Sequence, residues 1–269
     1  MRITFVTAIN NEGILRNNLL VSPCLASPNG HQLIIQRNYR SAAEAYNDAL
    51  DRAENDLVVF CHQDIVFTKS WLHDLNRALA HMEQIDKNWG VLGCYGETLN
   101  DNGRGYVYSP GRGILGKQFD APALVQTLDE IVLILRKSSG LRFSPELPHF
   151  HFYGADICMA AAERGMHSYA ISALCIHNTQ QNLVLPNEFY AGCRYIRRHW
   201  WRFLPIQTTC IRVTRSNLHY FRRRLLDAYL RNIRKKTIGA TRVEKGQDLL
   251  NEIERLHLIP SMASTENGG

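Results

Sequence analysis

Leu57-Val58-Val59-Phe60-Cys61 is a short, uncharged, β-rich run that delivers His62 and Asp64 to its end, and a second apolar run, Ile65-Val66-Phe67, follows at once. Such a run reads as a strand buried on both faces. Open α/β sheets bind their ligands just beyond the ends of strands of this kind. Two residues make one strand repeat, so extended backbone would aim His62 and Asp64 the same way. That arrangement suits a divalent cation holding a diphosphate. The residues also allow a plainer reading, with Asp64 capping the turn and His62 a satisfied polar side chain.

The chain up to about residue 180 alternates such strands with helices. Arg2 to Ile9 reads as a strand, broken by Asn10-Asn11-Glu12-Gly13 before a helix over Ile14 to Leu20. A loop from Ser22 to Gly30 precedes a second strand, Gln32 to Gln36. Ser41-Ala42-Ala43-Glu44 has the form of a capping box. The helix it opens carries Ala42, Ala45, Ala49 and Ala53 on one side, which lets it lie close to a sheet. Ser70 is placed to cap a helix reaching about Asp86, and Gly90 to Cys94 is a further buried strand. Gly96 to Gly116, rich in glycine, reads as a long loop. Ile131 to Leu135 is strand-like, as is Tyr169 to Ile176, which delivers His177-Asn178. Between them lies the aromatic turn His149-Phe150-His151-Phe152-Tyr153-Gly154, then a helix from Asp156 to Arg164 ended by Gly165. This order predicts a mostly parallel sheet with helices on both faces.

No run reaches the roughly 18 apolar residues of a spanning helix. Met1 to Ile9 is strand-like rather than signal-like. The seven cysteines are widely spaced without a CxxC pair, which reads as buried free thiols in a cytoplasmic protein. The net charge of +6 is uneven: Arg194 to Lys236 holds 13 Lys or Arg and one acid, Asp227. That segment therefore carries +12 on a body of −6, and it is suited to meet something anionic.

First strand then Asn11-Glu12, second strand, small-residue helix, buried strand ending in an acidic motif, aromatic turn and Asp156: this order resembles the family 2-like glycosyltransferases of the GT-A fold. Within them it is similar to a subgroup whose acidic motif reads His-Gln-Asp, here His62-Gln63-Asp64, and whose second signature reads Phe-His-Phe-Tyr then Asp, here Phe150 to Tyr153 and Asp156. The likeness covers residues 1–180, with a basic helical extension over 181–260 and a disordered tail over 261–269.

The resemblance implies a GT-A Rossmann-like sheet and a metal-dependent, inverting transfer of a sugar from a nucleotide-diphosphate sugar to a hydroxyl. Asp64, with His62 in place of an earlier acid, matches the metal and diphosphate motif, and His177 matches a further ligand of Mn²⁺ or Mg²⁺. Asn11 and Glu12 match the first nucleotide contact. Asn38 stands where an Asp usually makes the second. Asp156 matches the catalytic base. The residues themselves leave other roles open: Asp156 could favour the positive end of its helix, and His177 could be a strand-end hydrogen bonder. Asp129 and Glu130 precede a buried strand within reach of donor or acceptor. His149 and His151 read as pocket walls, and Trp71 as core.

Leu218 to Ile233 reads as an amphipathic helix, and with Trp200, Trp201 and the cations it suggests an anionic membrane surface on the inner face of the plasma membrane. The acceptor would then be a saccharide or lipid-linked, in surface polysaccharide or glycolipid synthesis. The apolar half could instead pack on the body or against a second copy. Two other functions stand against the enzyme: a glycosyltransferase-like binding or scaffold protein, and, ranked last, a nucleic-acid-binding protein working through the arginines.

Overall fold

The computed structural model describes residues 1–25, 30–100, 103–256 and 258; the tail expected over 261–269 lies outside them. In chain order the first half runs β1 (Ile3–Ile9), α1 (Glu12–Asn17), β2 (Gln32–Arg37), α2 (Ala42–Arg52), β3 (Leu57–Cys61), β4 (Ile65–Phe67), α3 (Trp71–Ile85), β5 (Val91–Gly93), β6 (Tyr95–Glu97), β7 (Arg104–Ser109) and β8 (Gly113–Gly116). The second half runs β9 (Ala123–Val125), β10 (Thr127–Leu128), β11 (Val132–Arg136), α4 (Tyr153–Glu163), β12 (Ser168–Ala170), β13 (Cys175–His177), α5 (Asn187–His199), β14 (Ile206–Gln207), β15 (Arg212–Val213), α6 (Leu218–Asn232) and α7 (Gly246–Arg255).

Seven strands form the main sheet in the order β2-β1-β3-β11-β5-β12-β9. β1 is parallel to β2 and β3, and β12 is parallel to β5. β11 is antiparallel to both β3 and β5, and β9 to β12. Five strands therefore share one direction, as the alternation predicts. Along β3 the side chains alternate: Val58 and Phe60 join the apolar cluster of α2, α4 and α5, while Val59 and Cys61 join that of α1 and α3. Each large side chain so buried contributes about 1.5–3 kcal/mol. Ser41 caps α2 as the pattern predicts, its Oγ accepting from the Glu44 amide at 3.2 Å. Ser70 makes no such cap on α3.

A smaller sheet, β10-β6-β7-β13-β4 with β8 on β7, stands beside the first. It corrects two expectations. The stretch from Gly96 to Gly116 is largely strand: β7 alternates small and aromatic residues, and Tyr106 and Tyr108 bury against α7. Tyr169 to Ile176 is two strands in different sheets, since the chain leaves the main sheet after Ala170.

The segment after residue 180 carries α5, α6 and α7 with the short pair β14 and β15, and most of it is packed into the body. Phe189, Tyr190, Cys193 and Ile196 of α5, with Trp200, Ile206 and Val213, belong to the same cluster as β3 and α4. Leu249, Leu250 and Ile253 of α7 cover the small sheet. Among the described helices of this segment, only α6 stands with its apolar side open. Among the described residues, no helix is long and apolar enough to cross a membrane. Six cysteines are buried and Cys210 is exposed, all as free thiols.

Candidate active site

Residues 62–64 form a turn rather than a continued strand: the Ile65 amide donates to the His62 carbonyl at 3.3 Å. The turn still brings the two side chains together. β13 then lies antiparallel on β4 with His177 opposite Ile65, and the Asn178 amide donates to the Asp64 carbonyl at 2.9 Å. This register sets His177 beside Asp64. His62 Nδ1 lies 3.9 Å and His177 Nε2 3.5 Å from Asp64 Oδ1. The donor atoms of His62, Asp64 and His177 all lie within 4.8 Å of one another, the one group of this kind among the described residues.

The surroundings prepare these groups as ligands. Tyr153 donates its hydroxyl proton to the Glu130 carbonyl at 2.9 Å, so at 2.8 Å from His62 Nε2 the same hydroxyl can only accept. His62 therefore carries its proton on Nε2 and turns the Nδ1 lone pair toward Asp64. Burial pushes the His62 pKa down, toward the neutral imidazole a metal requires. Burial alone would raise Asp64, but His177 and Arg242 outweigh it and hold the carboxyl well below its usual range. Arg242 donates to Asp64 Oδ2 at 2.8 Å and to the Asn178 carbonyl at 2.7 Å. An ionised carboxylate and two imidazoles form a donor set fit for a divalent ion.

His62 and His177 line a cleft of about 430 Å³ together with Asp129, Glu130, His151 and Ala155. Glu130 is held at the start of α4, where the amides of Phe152, Tyr153 and Gly154 point at its carboxylate. Burial and the neighbouring Asp129 nevertheless push its pKa up to about 8. Gly154 makes the approach possible, since a Cβ there would sit 2.4 Å from the Leu128 carbonyl oxygen.

Asn11, Glu12 and Asn38 sit on the rim at the ends of β1 and β2, outside the cleft lining. The Asn11 side chain caps α1, accepting from the Ile14 amide at 3.1 Å. Glu12 pairs with Arg37 at 2.7 Å, and Asn38 has a φ of 64°. Gln63 ties this rim to the cluster: it accepts from the amides of Asn10 and Asn11 at 3.2 and 3.1 Å.

Asp156 is not with them, which corrects its expected place as base. It is fully buried, accepting from the Ser144 amide (2.8 Å), the Ser144 hydroxyl (2.7 Å) and the Trp200 indole (2.8 Å). On α4 it is Ala155 that faces the cleft. The same indole bond corrects Trp200, which is core and no part of a surface patch, whereas Trp201 is exposed. His149 also lies elsewhere, its carbonyl accepting from the Ala42 amide at the start of α2. Trp71 is core, as read.

A sequence profile of the glycosyltransferase-like family matches residues 4–188. The chain belongs to that family. It is 30% identical over 131 residues to "ATP synthase subunits region ORF 6" of Fuscovulum blasticum, which is 47% of this chain and 53% of that protein. The chain thus spans about half the length of the curated relative it matches. Among solved structures, S. aureus TarS 1-349 is 16% identical with a TM-score of 0.48, covering 87% of this chain and 73% of that one. The mannosyltransferase PcManGT of Pyrobaculum calidifontis, in complex with GDP-Man and Mn²⁺, is 12% identical with a TM-score of 0.45, covering 96% and 81%.

In this family member, three residues of the site lay outside the roles read from the sequence. Gln63 sits inside the acidic motif, so its place was open to view. Tyr153 lies within the aromatic signature but gave no sign of reaching His62. Arg242 gave no signal at all, being 178 residues from its partner.

Proposed function

We propose that the protein is a metal-dependent, inverting glycosyltransferase that moves a sugar from a nucleotide-diphosphate sugar to the hydroxyl of a saccharide or lipid-linked acceptor, in surface polysaccharide or glycolipid synthesis. One observation carries the reading: His62, Asp64 and His177 converge at the wall of a cleft at the strand ends, with the His62 tautomer set for ligation. These three residues would hold Mn²⁺ ahead of Mg²⁺, because two donors are imidazoles. A cation bound there would supply charge neutralisation for the leaving diphosphate. Asn11, Glu12 and Asn38 on the adjoining rim would contact the nucleoside, with Gln63 fixing their distance from the cluster.

The proton acceptor is Glu130. It lines the cleft and its raised pKa makes it a stronger base than an ordinary carboxylate. The acceptor oxygen bonds to the anomeric carbon as the bond to the diphosphate breaks. The hydroxyl proton goes to the Glu130 carboxylate. One displacement without a covalent intermediate inverts the anomeric centre.

A non-catalytic binding role draws on one observation, the alanine at the cleft-facing position of α4. A thermal-shift screen of UDP-, GDP-, CMP- and dTDP-sugars with and without Mn²⁺ separates the readings. A donor that binds raises the melting temperature by mass action. The enzyme reading requires a Mn²⁺-dependent shift, donor turnover, and loss of both in Asp64→Ala. Binding without turnover leaves the scaffold role. No shift with any donor defeats both.

A further inference from the structure

Helix α6 docks by one side only. Asp227, its sole acid, is buried and bonds to Arg223, to the Tyr190 hydroxyl and to the Leu185 amide, while Arg223 reaches the Leu183 carbonyl at 2.8 Å. The opposite side carries Leu218, Phe221, Leu225, Tyr229 and Ile233, with Leu226 at its edge, and every one of them is exposed. Leu225 and Ile233 are each 71% exposed. The spacing is that of one helical face. So the alternative in which this half packs on the body does not hold. Contiguous exposed apolar surface of this kind marks an interaction site.

Charge chooses the occupant. Arg222 lies within the stripe, and Arg234, Lys235 and Lys236 are exposed just beyond its end, with no exposed acid on the helix. Two copies meeting through this face would set cation against cation. An apolar stripe among cations suits the interface of an anionic bilayer, with the rings and aliphatic chains in the acyl boundary and the arginines at the phosphates.

We infer that α6 is a membrane-surface anchor, lying in the interface of a bilayer that contains anionic phospholipid. The docking stands on α6 alone. Its consequence for catalysis rests on the glycosyltransferase reading. Leu185, bonded to the docked side of α6 through Asp227, also lines the cleft, so docking would hold the cleft about one helix diameter from the lipid surface. The acceptor class is then a saccharide or hydroxyl carried on a lipid.

Co-sedimentation of the full chain with vesicles tests this without any donor or metal. Binding is expected to vesicles of phosphatidylcholine with about one third phosphatidylglycerol, and to be weaker by about tenfold or more on phosphatidylcholine alone. Leu225→Asp with Ile233→Asp should lower binding by about tenfold or more while the circular dichroism and melting temperature stay unchanged. Both side chains are exposed, so folding does not depend on them. Pelleting that ignores the vesicles or the substitutions overturns the inference. So does a dimer in analytical ultracentrifugation that the double substitution dissolves. Absence of vesicle binding by a monomer overturns it as well, and leaves the face to a protein partner.

Discussion

Arg242 donates to Asp64 Oδ2 at 2.8 Å, while Oδ1 of the same carboxylate faces His62 and His177. The two oxygens are thus divided between a fixed guanidinium and the two imidazoles. The segment bearing Arg242 is itself laced to the chain that follows His177. Leu183 and Gln181 donate to the carbonyls of Thr237 and Ala240, and Val243 donates to the Asn178 side chain at 2.9 Å. The guanidinium therefore orients a ligand without competing for its free oxygen. Arg242→Ala should weaken Mn²⁺ binding by about 10–100-fold, the usual cost of losing an outer-shell partner. Titration calorimetry with Mn²⁺ alone checks it, and Arg242→Lys should recover part of the loss.

Tyr153 is the second outer-shell partner. Its hydroxyl fixes the His62 tautomer and at the same time binds the Glu130 carbonyl. Tyr153→Phe keeps the ring, which packs among Tyr46 and Phe143, and removes only that hydroxyl. The imidazole can then turn over or exchange tautomers. Mn²⁺ affinity should fall by about tenfold or more. The Mn²⁺ paramagnetic resonance titration should move while the far-ultraviolet circular dichroism does not.

The two carboxylates of the α4 region have opposite fates. Asp156→Ala leaves the Ser144 and Trp200 donors buried without a partner, at about 1–3 kcal/mol for each group. It should lower the melting temperature, yet below that temperature the transfer rate should stay within a few-fold of the native protein. Glu130→Gln should do the reverse, losing about 10²–10⁴-fold in kcat with no loss of stability at neutral pH. Loss of kcat in a well-folded Asp156→Asn protein would return the base to the position the family pattern favours.

The difference between these two residues shows where sequence reasoning stops. The strand ending at Cys61, the pairing of His62 with Asp64 and the small-residue side of α2 were legible because each follows from local pattern, whereas His177 came to them only through the family resemblance. Asp156 was not, because its direction depends on Trp200, which reaches it from 44 residues away. Glu130 was visible only as one of two acids before a strand; its contact with α4 depends on the glycine at 154. Arg242 lies in a stretch with no periodicity of its own, held by pairing to residues 178–183. The strands within 96–116 were hidden because glycine richness signals a loop unless the partner strands are known.

Glu130 also predicts a pH dependence of stability. Its folded pKa of about 8 stands above the ordinary 4.5, pushed up by burial and by Asp129. Between those values the native state holds a proton that the unfolded chain has released. Stability then falls as pH rises, since its slope follows the protons bound in the unfolded state minus those in the native state. The contribution is fully present below about pH 4.5 and gone above about pH 8. Urea unfolding of the metal-free protein across this window should show stability declining with pH relative to Glu130→Gln, which has no proton to lose. With Mn²⁺ bound the window should move to lower pH, because a nearby cation favours the carboxylate. A native protein and a Glu130→Gln protein with parallel pH profiles would mean that Glu130 is ordinary, and would remove it as the base.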